Sequence, residues 1–188
     1  MEYRQMYFHD FITRSTKGSA SVVDLGAGLF ERMYWFHPDV KQRIGIEIFQ
    51  PYIDSARYHD CVKICGNVMD YRELLKGYEL DTAFSMDLME HMTREDGIKL
   101  IEMLKEDFRK IIIIAPCGDF PQDEDVLGFG NHTYQTHRSI WKEADFESLG
   151  FTINIVDPNF HSTPERLAKH QDIAAYFGVW ERNESLQI

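Results

Sequence analysis

Cysteine is scarce. Cys61, Cys65 and Cys117 are the whole complement, and an odd number leaves at least one thiol without a partner. Cys61 and Cys65 fall in one predicted strand, where four residues span about 13 Å, beyond the ~7 Å reach of a disulfide. A disulfide between those two is therefore excluded, and reduced, buried thiols are expected. Long apolar runs are also lacking. The stretch Ile111 to Ala115 falls far short of the ~20 residues of a membrane span. The N-terminal MEYRQMYFHDFITR has neither the apolar region nor the small-residue cleavage site of a signal peptide, so the expected location is the cytoplasm. Basic residues are few, 20 Lys and Arg against 31 Asp and Glu for a formal charge of −11, and they form no cluster. Such a surface repels phosphate backbones and anionic membranes at long range. Neither a nucleic acid nor a membrane is expected as a partner. The chain also has no G-x-x-x-x-G-K-[S/T] loop, no internal repeat and no low-complexity tract.

What is present is the material of one globular domain. The 188 residues are 44% apolar and 27% charged, with 13 Phe, 9 Tyr and 3 Trp, close to the norm for a packed core. The reading is a single domain over 1–188, its first 19 residues a helical segment. Periodicity then predicts strands at 21–25, 43–48, 61–65, 81–86 and 110–115. Helices are predicted after the glycines near 28, over 51–58 with Pro51 in the first turn, and over 93–109 with Thr93 as N-cap. Alternating strands and helices imply parallel βαβ units. A helix at 139–149, stopped by Gly150, and strands at 151–156 and 172–180 complete the pattern. With no helix between them, these last two strands should pair antiparallel. The expected fold is α/β, a doubly wound, mostly parallel seven-stranded sheet with the last strand antiparallel and helices on both faces. The segment 116–136 has no period and carries Pro, Gly, Asp and Asn; a loop of that length in a compact domain is often functional.

In an open parallel sheet the ligand lies beyond the carboxyl ends of the strands, where strand order reverses. After the first strand comes Asp24-Leu25-Gly26-Ala27-Gly28, whose glycines allow a tight turn and close approach of a ligand to the backbone. The second strand ends at Glu47, 47 − 24 = 23 residues after Asp24, near the spacing of about 20 for an acid that accepts from ribose hydroxyls. Together they suggest a nucleoside. A dinucleotide would place its pyrophosphate at the following helix start, where Glu31, with Asp24 entering the turn, opposes it by charge. A ligand without phosphate that carries an ammonium and a sulfonium suits the acidic turn better.

At these residues the chain resembles the class I S-adenosylmethionine-dependent methyltransferases, over about residues 20–181. Val23-Asp24-Leu25-Gly26-Ala27-Gly28 is similar to the family's first motif, whose acid and glycines approach the methionine part of the cofactor. Phe30 stands where a third glycine is usual. Gly45-Ile46-Glu47-Ile48 resembles the second motif, with the acid on the ribose, and Gly66-Asn67-Val68-Met69-Asp70 the adenine-contacting stretch, here led by Asn67 and Val68. Ser85-Met86-Asp87-Leu88-Met89-Glu90-His91 is similar to the stretch after the fourth strand in small-molecule methyltransferases, where Met86 would lie along the cofactor. The resemblance implies S-adenosylmethionine as cofactor and transfer of its methyl to a small-molecule acceptor.

The cofactor brings its own leaving group, so the protein's part is positioning, desolvation and, for a hydroxyl acceptor, a base. His132 and His137, at the end of the aperiodic loop, are the candidate bases. Asp87 is the candidate beside the methyl, and Tyr134, Glu90 and His91 are candidate acceptor contacts. Tyr3, Tyr7 and Phe8 are candidates to close over the cofactor. No metal site is read: His132 and His137, five apart, diverge by about 140° on a helix and could converge only in a loop. The roof of the pocket would come from the loop, the N-terminal helix and a second copy of the chain. Three alternatives stay open: a noncatalytic cofactor-binding module, a nicotinamide oxidoreductase, which Glu31 opposes, and an aminopropyl transferase using Asp87.

Overall fold

A computed structural model describes residues 3–156 and 174–182; the predicted start of the last strand at 172–173 lies outside them. Helix α1 (Tyr3–Ser15) leads into strand β1 (Ser21–Leu25), followed by β2 (Gln42–Glu47), α2 (Gln50–Asp54), β3 (Val62–Cys65), α3 (Tyr71–Leu74), β4 (Thr82–Met86), α4 (Arg94–Asp107) and β5 (Lys110–Pro116). One helical turn, α5 (His132–Gln135), then precedes α6 (Glu143–Ser148), β6 (Thr152–Val156) and β7 (Ala175–Glu181). The seven strands form one sheet in the order β3-β2-β1-β4-β5-β7-β6. β7 runs antiparallel to both of its neighbours and the other recorded pairings are parallel, as the sequence predicts.

The central strands are buried on both faces, and successive residues divide between two cores. Val23, Leu25, Ile111 and Ile113 meet Leu100, Ile101 and Leu104 of α4 and Phe146 of α6. Val22, Ile112 and Ile114 meet Phe8 and Ile12 of α1 and Met33 on the other face. The Thr93 hydroxyl caps α4, accepting from the Asp96 backbone N–H at 3.1 Å, and Arg109 N leaves the helix to donate to Asp81 O as β5 begins.

Three predicted helices are shorter than their periodicity suggests, and two of them give way to a tertiary contact. After the glycines the chain makes only a 3-10 helix, Glu31–Trp35. The 51–58 segment leaves the helix after Asp54, where Arg57 N donates to Leu29 O. Residues 139–142 are extended because Ser139 N donates to Glu90 O and the Trp141 indole to Met89 O at 3.0 Å. That last departure straps the chain across the turn after β4.

Candidate active site

A cavity of about 510 Å³ lies beyond the carboxyl ends of the strands, where the order reverses between β1 and β4. Its lining includes Gly26, Ala27, Gly28, Glu47, Ile48, Asn67, Val68 and Met86. Gly26 and Gly28 take positive φ, +74° and +55°, which glycine allows without strain. The turn is held by Gly26 N and Ala27 N, both donating to Ile46 O. Glu47 is buried, and its carboxylate accepts from Gly28 N at 2.8 Å and Phe49 N at 2.9 Å. It therefore builds the turn, while each oxygen keeps a second lone pair for a ligand hydroxyl. Burial raises its pKa, and the backbone donors oppose that shift. Asn67 Oδ1 accepts from Met69 N, which leaves its amide nitrogen to donate.

Two expectations about this end are corrected, for Asp24 and Glu31, and the place of Phe30 is settled. Asp24 does not line the cavity: it lies beneath the turn, 1% exposed, with Oδ2 lacking a hydrogen-bond partner among the described residues. Desolvation pushes its pKa up to about 7, with Arg32 opposing and Glu47 adding to the shift. Phe30 adopts the positive φ of the missing glycine, +62°, and its ring turns down into the core. There it takes the space over Gly45, where a Cβ would lie 2.4 Å from a ring carbon. Phe30 therefore leaves the cavity open. Glu31 pairs with Arg57 and, at 3.9 Å, with Arg32, so its charge is largely met and repels a phosphate less than the sequence implied.

The opposite wall is built on the tip of β4. Asp87 lines it with φ +53°, a strained conformation that Asp tolerates better than most residues. Just beyond, in the 3-10 turn Met89–His91, Glu90 is buried at 4% exposure and its Oε2 has no hydrogen-bond partner among the described residues. Burial and the neighbouring Asp87 charge hold its carboxyl well above the usual range. The His91 and His137 rings meet edge to face with centroids 4.7 Å apart. Burial first, then His137, pushes His91 down to about 4. Each imidazole turns Nδ1 to a backbone carbonyl, His91 to Thr136 O at 3.4 Å and His137 to Phe120 O. Nδ1–H donating there selects the tautomer whose Nε2 carries no proton, the form that can accept a proton or ligate a cation. Donor atoms of Glu90, His91 and His137 all lie within 4.8 Å of one another, a set able to receive a proton or hold a divalent cation. The sequence weighed His132 with His137 for that role. His91 is the partner instead, brought 46 residues along the chain (137 − 91) by the fold.

His132 is exposed, outside the lining, with Nδ1 accepting from Asp125 N at 3.3 Å, so it is no base for this cavity. Tyr134 lines the rim at 41% exposure. Phe8 packs into the core against Trp35 and Phe177 and does not cover the cavity; the side chains of Tyr3 and Tyr7 lie outside the described residues. Sequence reasoning missed Arg32 and the loop knot around Asp125, which accepts from the Tyr52 hydroxyl and from the backbone of Leu127, Phe129 and Asn131. Nothing in local pattern signals either.

No family model and no curated protein matches the sequence. Solved structures do match in fold. The small RNA methyltransferase HEN1 superposes with a TM-score of 0.65 at 16% identity, over 96% of this chain and 25% of that one. A putative S-adenosylmethionine-dependent methyltransferase from Listeria monocytogenes gives 0.63 at 14%, over 96% and 99%. The plantazolicin methyltransferase BpumL, in complex with S-adenosylhomocysteine, gives 0.59 at 15%, over 97% and 86%. The chain thus spans a quarter of the first of these and nearly all of the others. Among the described residues no helix is long and apolar enough to cross a membrane. The seven-stranded, mostly parallel sheet with its antiparallel β7 and flanking helices agrees with these neighbours: the chain has the class I S-adenosylmethionine-dependent methyltransferase fold.

Proposed function

We propose that the protein is an S-adenosylmethionine-dependent methyltransferase that transfers the sulfonium methyl to a hydroxyl of a small-molecule acceptor. One observation carries the reading: a single cavity is lined at one end by the glycine turn, Glu47 and Asn67, and at the other by Asp87, Glu90, His91 and His137. The first group suits a nucleoside with an amino-acid tail; the second suits a hydroxyl that must lose a proton. His137, with Nδ1 tied to Phe120 O, takes that proton at Nε2; were a cation bound, Nε2 would hold it together with Glu90 and His91. A divalent cation would supply Lewis acidity, lowering the pKa of a bound hydroxyl. Glu90 fits either role, since its Oε2, without a partner among the described residues, can accept from a hydroxyl or ligate a cation. A noncatalytic binding module would have no use for this cluster.

An RNA terminus is the second reading. It rests on the likeness to the small RNA methyltransferase HEN1, and a ribose end offers the required hydroxyl. The charge of −11 weighs against it. The test is transfer of labelled methyl from S-adenosylmethionine to hydroxylated small molecules and to short RNAs with free or 2′-deoxy ends, with Mn²⁺ or with a chelator. Transfer to a small hydroxyl compound, lost in His137→Ala while S-adenosylhomocysteine still binds, is the expected result. Transfer only to RNA bearing the 2′-hydroxyl would replace the acceptor. Lack of cofactor binding by the folded protein would overturn the function.

A further inference from the structure

The wall of the cavity is predominantly acidic: Glu31, Glu47, Asp87, Glu90 and Asp96 all line it. Two guanidinium groups stand among them. Arg138 is committed to carbonyls, donating to His91 O at 3.3 Å and Thr133 O at 2.7 Å. Arg32 is placed differently. Its Nε donates to the thioether of Met86 at 2.9 Å, a weak acceptor. Among the described residues its one ion pair is the 3.9 Å contact with Glu31, which is itself engaged by Arg57. The guanidinium carbon lies 5.2 Å from the Trp35 ring centroid and 5.7 Å from that of Phe8, and Trp35 in turn stacks on His9 at 4.0 Å. Two aromatic rings thus pack beside the guanidinium, while the side chain keeps 31% exposure. The contact with Met86 puts this preorganised cation at the β4 tip.

We propose that Arg32 is the anion subsite of this cavity and binds the carboxylate of the amino-acid end of the cofactor, on the reading of function given above. An α-amino acid tail needs one cation for its carboxylate and acidic surroundings for its ammonium. The wall provides both within one cavity. A carboxylate meets two parallel N–H donors of a guanidinium, a pairing that a lysine cannot reproduce. Met86 then takes the thioether contact with the cofactor's own sulfur-bearing chain, once Arg32 has an oxygen acceptor in its place.

The assignment is tested by calorimetric titration of wild type, Arg32→Gln and Arg32→Lys with three ligands. These are S-adenosylhomocysteine, methylthioadenosine, which lacks the amino-acid tail, and decarboxylated S-adenosylmethionine, which lacks only the carboxylate. Circular dichroism checks folding of each variant. The expected result is that Arg32→Gln weakens S-adenosylhomocysteine by on the order of 10- to 100-fold and leaves the other two within about twofold. Arg32→Lys should recover part of the loss. Equal weakening of all three ligands would make Arg32 a packing residue and overturn the proposal, as would no change for S-adenosylhomocysteine. Wild type binding none of the three would overturn the cofactor reading itself and the assignment with it.

Discussion

Glu47 does two jobs in one carboxylate, holding Gly28 N and Phe49 N and facing the cavity. Glu47→Ala should therefore lower S-adenosylhomocysteine affinity by about 5- to 150-fold, equivalent to about 1–3 kcal/mol, and also lower the melting temperature. Titration beside a thermal melt checks both; unchanged affinity in the folded variant would remove the ribose role. Asp24 has a pKa near 7 in the folded state against an ordinary 3.8, so the folded protein holds this proton more tightly than the unfolded chain does. The stabilisation from that proton is complete below about pH 4 and is lost as pH rises through 7. Asp24→Asn should accordingly melt near wild type at pH 4 and progressively higher than wild type by pH 8. Phe30 poses a contest of magnitudes. Its left-handed backbone costs on the order of 1 kcal/mol, while its fully buried ring contributes about 3–5 kcal/mol. Phe30→Gly, which restores the commoner residue, should thus destabilise by about 2–4 kcal/mol in a denaturant melt.

The stretch 117–131, between β5 and α5, owes its order to side chains rather than to a regular element. Asp125 gathers four donors, the Tyr52 hydroxyl at 2.6 Å and three backbone N–H groups at 2.7 to 3.0 Å. This ties the loop to α2, immediately after the Glu47 tip, and sets Val126 and Leu127 at the cavity. Asp125→Ala should cost only about 1–2 kcal/mol of global stability yet expose 120–131 to proteases on the order of tenfold faster than wild type, measured by limited proteolysis. Equal cleavage rates would mean that the loop is held elsewhere. The same logic explains the truncated helix before α6. Local pattern favours helix from 139, but Ser139 and Trp141 reach Glu90 O and Met89 O, and those bonds fix the turn that carries Glu90 and His91.

At the scale of the molecule, a ligand that binds only the folded state stabilises it by about 2.7 kcal/mol at one hundred times its Kd. For a chain of 188 residues that is a rise of about 5 to 10 °C in melting temperature. S-adenosylhomocysteine should produce this rise and NADH none; the reverse outcome would restore the oxidoreductase alternative, which the neutralised Glu31 opposes less than its sequence position suggested. The whole-chain charge acts on acceptors in the same unspecific way, favouring cationic or neutral small molecules over polyanions.

The strands, their parallel order and the glycine turn were legible because burial on both faces and the α/β alternation leave a periodic record in the chain, and because a turn of positive φ calls for glycine. The cofactor end of the cavity follows from them, since Gly26, Gly28, Glu47 and Asn67 sit at strand tips whose position the topology dictates. The acceptor end was legible only in part. Glu90 and His91 stood in a readable motif, but their meeting with His137, the exclusion of His132 and the freeing of Arg32 by the Glu31–Arg57 pair depend on contacts between segments distant in sequence. Such contacts are set by how side chains pack and exchange partners once the chain is closed, and no local periodicity encodes them. The residues alone determined the scaffold and where a ligand must enter it; the tertiary structure decided which charges are met, which are left for a ligand, and which histidine faces the cavity.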